Sequence, residues 1–473
     1  MRRMGRNAVI SAVVIVCLIF VSACGSNGGG NSGSSDGTAG NAGEKPQGSG
    51  SAGKGGPVTI KLTFTSGEIS KEQIAEFEKA NPGIKIQQVD ADYNKLMTMV
   101  AAGSAPDIIR IYAATELPNY VMKGLAMDLT PRFAASSVFK EDDYLPVVNL
   151  YKYDTASGKQ GIGDIYGFPK DWSQDFTLFY NKQIFQKAGI PLPSSTEPMT
   201  WTELLDLAKK LTKKQGDKVS QYGLVYYNGN TALNQDLLLL QLAQEGSSIY
   251  SDDFGKADLN KPEVKNLMNY WLDAVKSDVG PNPLNQDTTF SGDLFVNGSA
   301  AMMISGYWFT GLLRGDEKAK THLNDFGMAP APVMEGGTRM SPTGAAAGGI
   351  IYSKTKHPDE AWKVFEWFLG GKPADDRAKS GWGLPATKSR LALLPNTTEF
   401  DKSTLAFVNN ELKYADKFIG YNPYISAQAA ASLFDKHFSP VYFGKSTVDE
   451  AASKITNDMN VLIQEGKDVL GLQ

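Results

Sequence analysis

Patterns of apolar and polar residues predict strands and helices in alternation from residue 58 onward. They predict strands over residues 58–64, 84–89 and 107–111, the first with strict apolar–polar alternation. They predict helices over residues 70–81 and 93–102. Strand, helix, strand, helix, strand in this order indicates a parallel sheet with helices on both faces.

Capping signals mark where two of the predicted helices begin. Ser70 is followed three residues later by Gln73, which is the spacing of a capping box. Thr200 and Glu203 repeat this arrangement and open a helix that we expect to run through about Lys214. Both boxes are flanked by apolar residues spaced as hydrophobic staples, so both helix starts are well defined.

Later segments continue the same α/β organisation. Residues 237–243 are strongly apolar and are expected to be buried, and residues 300–304 predict a strand. Residues 262–275 and the segment that begins at His357 have helical spacing. No internal sequence repeat is present.

The carboxyl ends of the first strands are the expected place for a ligand. In open α/β sheets, ligands bind beyond the carboxyl ends of the strands. Glu68 follows the first strand, and Tyr112 and Glu116 follow the third. The two carboxylates are candidate acceptors for ligand hydroxyl protons, whereas Asp107 is expected to be structural.

The amino-terminal residues are typical of a secretory signal. Arg2, Arg3 and Arg6 precede an apolar stretch over residues 8–20, and small residues lead to Cys24. This layout resembles the lipobox of bacterial lipoproteins, which implies cleavage of residues 1–23 and lipidation of Cys24. The alternative is a retained signal anchor, but the apolar stretch is shorter than the roughly 20 residues that a span needs.

Residues 24–57 change character and predict a flexible tether. They are rich in Gly, Ser, Asn and Ala and contain no large apolar residue. The folded part from residue 58 to residue 473 is too long for one ordinary core and suits two domains. We therefore expect a two-domain protein held near a membrane outer face.

Composition excludes several kinds of chemistry. Both cysteines lie within the first 24 residues, so the folded part offers no disulfide or thiolate site, and its three histidines are not spaced as metal ligands. Removal of three arginines with the signal would take the formal charge from -4 to -7, which disfavours nucleic acid. No phosphate-binding loop is present, so ATP hydrolysis would belong to a partner. We expect no metal, no cofactor and no catalytic residue.

The order of motifs resembles the family of extracellular solute-binding proteins that includes the maltose-binding proteins. The matching pieces span almost all of the folded part, at residues 77–84 (FEKANPGI), 102–109 (AGSAPDII), 165–169 (IYGFP), 178–182 (LFYNK), 294–302 (LFVNGSAAM), 306–308 (GYW) and 357–362 (HPDEAW). Each piece alone is weak, but their order behind a lipobox is specific.

The resemblance implies a two-lobed periplasmic-binding-protein type II fold, in which each lobe is a mostly parallel sheet flanked by helices. We expect one lobe to hold residues 58–170 with about 346–390, and the other to hold residues 171–345 with about 391–473. The lobes would close by hinge bending. The resemblance further implies a monomeric, lipid-anchored receptor on the outer face of the cytoplasmic membrane that delivers a sugar or oligosaccharide to an ABC permease.

Aromatic residues are the strongest candidates for sugar contacts, because a sugar ring presents an apolar face of C–H groups. Trp308 resembles the family position where an aromatic ring stacks on sugar. Trp172, with Asp171 and Gln174, lies where the chain is expected to enter the second lobe. Trp382 lies between two glycines that permit close backbone approach.

The resemblance adds weaker candidates from the second lobe. Asn234 and Asp236 precede an apolar stretch and resemble a ligand-contact region, and Tyr424 aligns less clearly. The four tryptophans that sit on amphipathic helices are expected to pack in the core instead; they are Trp201, Trp271, Trp362 and Trp367.

Other functions stay open at this point. A surface glycoside hydrolase or lyase would use the same aromatic and carboxylate groups. A receptor of the same family could bind a non-sugar solute, such as a polyamine, a phosphate ester or a metal chelate. A fourth reading is a receptor that presents its sugar to a membrane kinase instead of a permease.

Overall fold

The computed structural model describes residues 56–227, 229–342, 346–415, 417 and 419–472. The predicted signal over residues 1–23, the lipidation site Cys24 and all but the last two residues of the tether lie outside the described residues. The family resemblance also predicts that the chain crosses between the lobes near residues 168–170, 344–349 and 385–394. Part of the second of these crossovers lies outside the described residues.

The strands are short and spread along the whole described chain. In order they are β1 Val58–Leu62, β2 Ile84–Gln88, β3 Ile108–Ile111, β4 Lys152–Asp154, β5 Lys159–Gln160, β6 Asp164–Ile165, β7 Gly167–Pro169, β8 Thr177–Asn181, β9 Lys213–Gln215, β10 Lys218–Tyr226, β11 Ala300–Ser305, β12 Phe326–Ala329 and β13 Gly348–Ile351.

The helices fall between these strands and then dominate the carboxyl-terminal part. In order they are α1 Lys71–Ala80, α2 Tyr93–Ala101, α3 Leu117–Met122, α4 Thr130–Ala135, α5 Lys182–Ala188, α6 Trp201–Leu211, α7 Gln235–Gln244, α8 Pro262–Lys276, α9 Ser291–Val296, α10 Phe309–Gly315, α11 Pro358–Gly370, α12 Lys372–Ser380, α13 Lys388–Leu391, α14 Glu399–Glu411, α15 Ala427–Tyr442 and α16 Val448–Val469.

Two five-stranded sheets define two lobes. The first lobe is built on the order β2-β1-β3-β13-β7, and the second lobe on the order β12-β8-β11-β10-β9. Strand β1 pairs in parallel with β2 from Val58 opposite Ile84 onward, and it also pairs in parallel with β3. A small sheet, β5-β4-β6, accompanies them.

The predicted two-lobed α/β fold is confirmed, and each sheet also contains strands that run against their neighbours. In the first lobe β13 runs antiparallel to both β3 and β7. In the second lobe β8 runs antiparallel to β11 and β12, and only β10 and β11 pair in parallel. Both sheets are therefore mixed. The strands that break the parallel pattern are β8 and β13, the first strands after the chain has passed from one sheet to the other.

The chain passes between the sheets more than once. Strand β7 belongs to the first sheet and β8 to the second, while β12 belongs to the second and β13 to the first. Helix α14 then packs against β12 of the second sheet. The residue boundaries of the two domains stay a prediction.

Capping boxes predicted two helix starts correctly, whereas the predicted end of one helix was too late. Ser70 and Thr200 both form complete capping boxes, with Gln73 and Glu203 respectively. Helix α6 ends at Leu211, short of the predicted Lys214. The residues that follow form β9, which pairs antiparallel with β10, so strand pairing overrides helical propensity there.

Two apolar clusters fill the lobes. Trp201 and Trp271 are 2% and 1% exposed, and Trp362 and Trp367 pack half-buried against the cluster that contains the first-lobe core, which confirms all four as packing residues. Asp107 is structural as expected, because its carboxylate accepts hydrogen bonds from Lys61 N at 2.8 Å and Thr355 Oγ1 at 2.5 Å. In the part of the chain that the structure describes, no helix is long and apolar enough to cross a membrane.

Candidate functional site

A pocket of about 230 Å³ lies between the two lobes. Its first-lobe wall comes from the carboxyl ends of β1, β2 and β3, where parallel strands expose a common edge. That wall includes Thr63, Tyr93, Arg110, Tyr112, Glu116 and Asn119. Its second-lobe wall comes from the start of α7 and the segment before α15, and includes Gln235, Tyr421, Asn422, Ile425, Ser426 and Gln428.

The lobes touch beside this pocket. Asn119 Nδ2 of α3 donates a hydrogen bond to Pro423 O at 3.2 Å, and Asn119 Oδ1 accepts one from Tyr93 Oη at 2.9 Å. The Asn119 side chain is buried, so both bonds are shielded from solvent. The contact brings segments more than 300 residues apart in sequence to the same wall.

Arg110, at the end of β3, connects the pocket to an ion network behind it. Its Nε lies 2.8 Å from Glu68 Oε1, and its guanidinium carbon lies 3.7 Å from the centre of the Tyr112 ring. Lys170 Nζ lies 3.3 Å from Glu68 Oε1 and also pairs with Asp171. Burial alone would raise the pKa of Glu68, but the charges of Lys170 and Arg110 outweigh it and hold that pKa below its ordinary value.

Glu116 lines the pocket, and Asp236 lies beside it in contact with the pocket residue Tyr421. Burial raises the pKa of Glu116 to about 7, an effect that Arg110 opposes and Asp236 reinforces. Burial also raises the pKa of Asp236, although Tyr421 Oη donates a hydrogen bond to Asp236 Oδ1 at 2.7 Å. Among the described residues neither carboxylate has a salt-bridge partner.

The structure brings part of the predicted set together. Tyr112 and Glu116 line the pocket, and Asp236 adjoins it through Tyr421. Glu68 lies behind Arg110 in the ion network. The Asn234 side chain caps α7, because its Oδ1 accepts a hydrogen bond from the Leu237 N–H at 3.0 Å.

The predicted group around Trp172 makes packing contacts, and ligand contact by this group stays a prediction. Trp172 is 4% exposed, and its Nε1 donates a hydrogen bond to Pro385 O at 2.8 Å. Gln174 is buried, and its Nε2 donates to Val408 O at 3.0 Å. Asp171 pairs with Lys170 in the ion network. These side chains tie the crossover to later segments and do not line the pocket.

The remaining aromatic candidates lie outside the pocket wall. Trp308 is half-buried, and its ring centre lies 4.1 Å from that of Tyr227. Trp382 is 36% exposed, and its backbone packs on Gly311 of α10. Tyr424 packs half-buried against the second-lobe core. Sugar contact by these three rings stays a prediction.

Sequence reasoning missed several pocket residues, chiefly Arg110, Asn119 and Tyr421. Arg110 belongs to β3, the strand whose carboxyl end was predicted to face a ligand. A charged residue inside this apolar strand could have indicated a site residue. Tyr421 lies three residues before the candidate Tyr424. Nothing local indicated Asn119, whose role depends on a contact across the lobes.

The described residues contain no group of three or more His, Cys, Asp or Glu side chains that could hold a metal ion. The side chains that line the pocket provide hydrogen-bonding groups, aromatic rings and a carboxyl group for contact with a solute.

Two proteins of Escherichia coli strain K12 are related over most of their length. YcjN, named as a candidate periplasmic-binding protein of an ABC transporter, is 24% identical over 427 residues, which cover 85% of this chain and 89% of YcjN. The sn-glycerol-3-phosphate-binding periplasmic protein UgpB is 26% identical over 425 residues, with 84% and 90% covered.

Solved structures share the fold. The ABC substrate-binding protein Lmo0181 from Listeria monocytogenes, in complex with cycloalternan, matches with a TM-score of 0.70 at 23% identity and covers 88% of this chain and 99% of its own. A solute-binding protein from Thermotoga lettingae, bound to alpha-D-tagatose, matches with a TM-score of 0.68 at 20% identity, with 86% and 100% covered. The family model for bacterial extracellular solute-binding proteins matches residues 63–373. The chain belongs to the bacterial extracellular solute-binding protein family.

Proposed function

We propose that this protein is a lipid-anchored receptor that captures a carbohydrate between its two lobes and delivers it to an ABC permease. The observation that carries the proposal is a pocket enclosed by both lobes at the carboxyl ends of the first-lobe strands. Such a pocket removes a solute from water when the lobes close, and closure provides a distinct surface for a permease to recognise.

The pocket wall has the chemistry that a sugar needs. Tyr93, Tyr112 and Tyr120 offer ring faces to C–H groups, and Arg110 and Asn119 offer planar hydrogen-bonding groups. The volume of about 230 Å³ lies just below the roughly 300–1,000 Å³ of most small-molecule sites. We infer that the pocket holds one end of a saccharide and that the aromatic residues outside it contact further units.

The relatives support this class of ligand. Two solved relatives bind cycloalternan and alpha-D-tagatose, whereas UgpB binds an anionic phosphate ester. An anion is disfavoured in this pocket, because the Arg110 charge is paired with Glu68 and Glu116 adds a carboxyl group to the wall.

The test is thermal unfolding of the purified protein with a panel of mono- and oligosaccharides, and sn-glycerol 3-phosphate as the anionic comparison. A ligand that binds only the folded state, at a hundredfold excess over its dissociation constant, adds about 2.7 kcal/mol of stability. We expect a rise in the unfolding midpoint with one saccharide class and recovery of that sugar unchanged. No shift with any saccharide would refute the proposed ligand class, and a new product would indicate an enzyme.

The proposed membrane anchor has a separate test. Replacement of Cys24 by Ser removes the only thiol at the predicted cleavage site. We expect the C24S protein to appear in the soluble extracellular fraction, while the unchanged chain stays with the membrane and incorporates labelled palmitate. Membrane retention of C24S without label would instead support a retained signal anchor.

A further inference from the structure

The charge balance of the pocket region points to a more specific ligand than sugar in general. The charged groups in or beside the wall are Arg110, Glu116 and Asp236, together with Asp92 at the start of α2. Lys123 is exposed, its Nζ donates a hydrogen bond to Tyr93 Oη at 2.6 Å, and within the described residues no salt bridge joins it to Glu116 or Asp236. Asp92 is occupied as a helix cap, since its Oδ1 accepts the Lys95 N–H at 2.8 Å. The balance therefore depends on how far the Arg110 charge compensates the other two carboxyl groups.

Arg110 is already committed to other groups. Its Nε pairs with Glu68 Oε1 at 2.8 Å, and its guanidinium covers one face of the Tyr112 ring at 3.7 Å. No salt bridge joins it to Glu116 within the described residues. The region around the pocket consequently holds two carboxyl groups, one on each lobe, that lack a cationic partner.

Polar atoms in the wall complete the pattern. Gln235 is 4% exposed and lines the pocket, and its Oε1 has no hydrogen-bond partner in the described part of the chain. This oxygen and the Glu116 carboxyl can both accept a hydrogen bond, and an ammonium group has three N–H donors. Arg110 Nη1 also lacks a partner and calls for an acceptor, such as a sugar hydroxyl or ring oxygen.

Aromatic rings surround these groups. Tyr93, Tyr112, Tyr120 and Tyr421 all line the pocket, and Tyr112 is 56% exposed. Tyrosine faces attract cations as well as the C–H faces of sugars. A ligand that carries both an ammonium group and sugar hydroxyls would satisfy the carboxyl groups, the amide oxygen and the rings together.

We propose that the pocket selects a saccharide bearing a protonated amine, with the ammonium group placed between Glu116 of the first lobe and Asp236 of the second. This inference rests on the proposed function, because it assumes that the pocket holds a saccharide. The ligand cation would also link the lobes, since one carboxyl group comes from each, and would thereby favour the closed form.

The test compares each neutral sugar with its amino counterpart at pH 7.5 by isothermal titration calorimetry. The pairs are glucose and glucosamine, galactose and galactosamine, mannose and mannosamine, and cellobiose and the β-1,4-linked glucosamine dimer. We expect the amino member of at least one pair to bind at least tenfold more tightly than its neutral counterpart. The N-acetylated forms, which lose the charge and gain an acetyl group, are expected to lose that advantage.

Matched variants separate charge from shape. Glu116→Gln keeps the side-chain shape and removes the charge, and we expect it to lose at least tenfold in affinity for the amino sugar. Glu141→Gln makes the same change on an exposed residue outside the pocket and should leave affinity unchanged. If neutral sugars bind as well as amino sugars, the inference is overturned and the proposed function stands. If no saccharide of either kind binds, both are overturned.

Discussion

The ion network behind the pocket makes a quantitative prediction about Lys170. This residue directly follows β7, where the chain leaves the first sheet, and its side chain is 2% exposed. Its ammonium group contacts Glu68 Oε1 at 3.3 Å and the Asp171 carboxylate. Replacement by Met keeps the side-chain bulk and leaves two largely buried carboxylates without this cation.

Removing one partner of a buried ion pair costs roughly 3–5 kcal/mol, because the remaining charge stays buried without compensation. Arg110 still contacts Glu68 at 2.8 Å in the variant, so the lower end applies. We expect Lys170→Met to lower the free energy of unfolding by about 3 kcal/mol at pH 7. The double variant Lys170→Met with Glu68→Gln should recover part of this loss, because the uncompensated charge is gone.

The loss should depend on pH in a defined direction. Burial would raise the pKa of Glu68, but Lys170 and Arg110 outweigh it and hold the pKa below its ordinary value of 4.5. A depressed carboxyl pKa contributes stability above the unfolded-state value, and this stability is lost as the pH falls through the folded-state value. The cost of Lys170→Met should therefore be largest at pH 7 and shrink below about pH 4.5.

The assay is urea unfolding at pH 7 and pH 4. Lys85→Met is the matched control, since Lys85 pairs with Glu78 at 2.7 Å with a side chain 49% exposed, and exposed pairs contribute at most about 1 kcal/mol. A loss below about 1 kcal/mol for Lys170→Met at pH 7, or an equal loss at both pH values, would refute the reasoning.

Three further predictions follow from single side chains. For Glu116, burial raises the pKa from its ordinary 4.5 to about 7, so ionisation costs stability as the pH rises through this window. Glu116→Gln should match the parent protein at pH 4 and gain up to about 3 kcal/mol at pH 8 in urea unfolding, whereas equal stability at pH 8 would contradict the raised pKa. At Gly223, a Cβ would lie 1.8 Å from Ala208 O of α6. Gly223→Ala should lower the free energy of unfolding by about 3 kcal/mol, while Gly83→Ala, with open space around its Cβ, should change it little; urea unfolding measures both. Trp308→Ala should weaken binding of the cognate sugar at least tenfold in calorimetry on the folded protein, and unchanged affinity would exclude Trp308 as a sugar platform.

Features set by neighbouring residues were predictable from the sequence, and features set by distant contacts were not. The capping boxes at Ser70 and Thr200 depend on residues three positions apart, and both formed as predicted. Strand direction depends on which segments pair, so the antiparallel placement of β13 between β3 and β7 was missed.

The same distinction applies to the pocket. Tyr112 and Glu116 were predicted because the carboxyl end of β3 marks a ligand edge whatever lies opposite. Trp172 was predicted as a ligand contact from its position near the crossover. Its backbone pairs with that of Leu384, and its ring N–H donates a hydrogen bond to Pro385 O; both residues are more than 200 positions away along the chain.

Arg110 links the two regions on which these predictions depend. Its Nε belongs to the ion network with Glu68, while its guanidinium forms part of the pocket wall against Tyr112. Among the described residues, loss of the Lys170 charge would leave Arg110 as the one cation in direct contact with Glu68, and would draw the guanidinium more strongly away from Glu116. The carboxyl groups on the two sides of the pocket would then be compensated even less by the protein. If the ligand supplies the missing positive charge, the folded fraction of Lys170→Met should bind a protonated amine no less tightly than the parent protein, although the variant is less stable. Weaker binding by the folded fraction would instead mean that the position of Arg110, and not the charge balance, controls affinity.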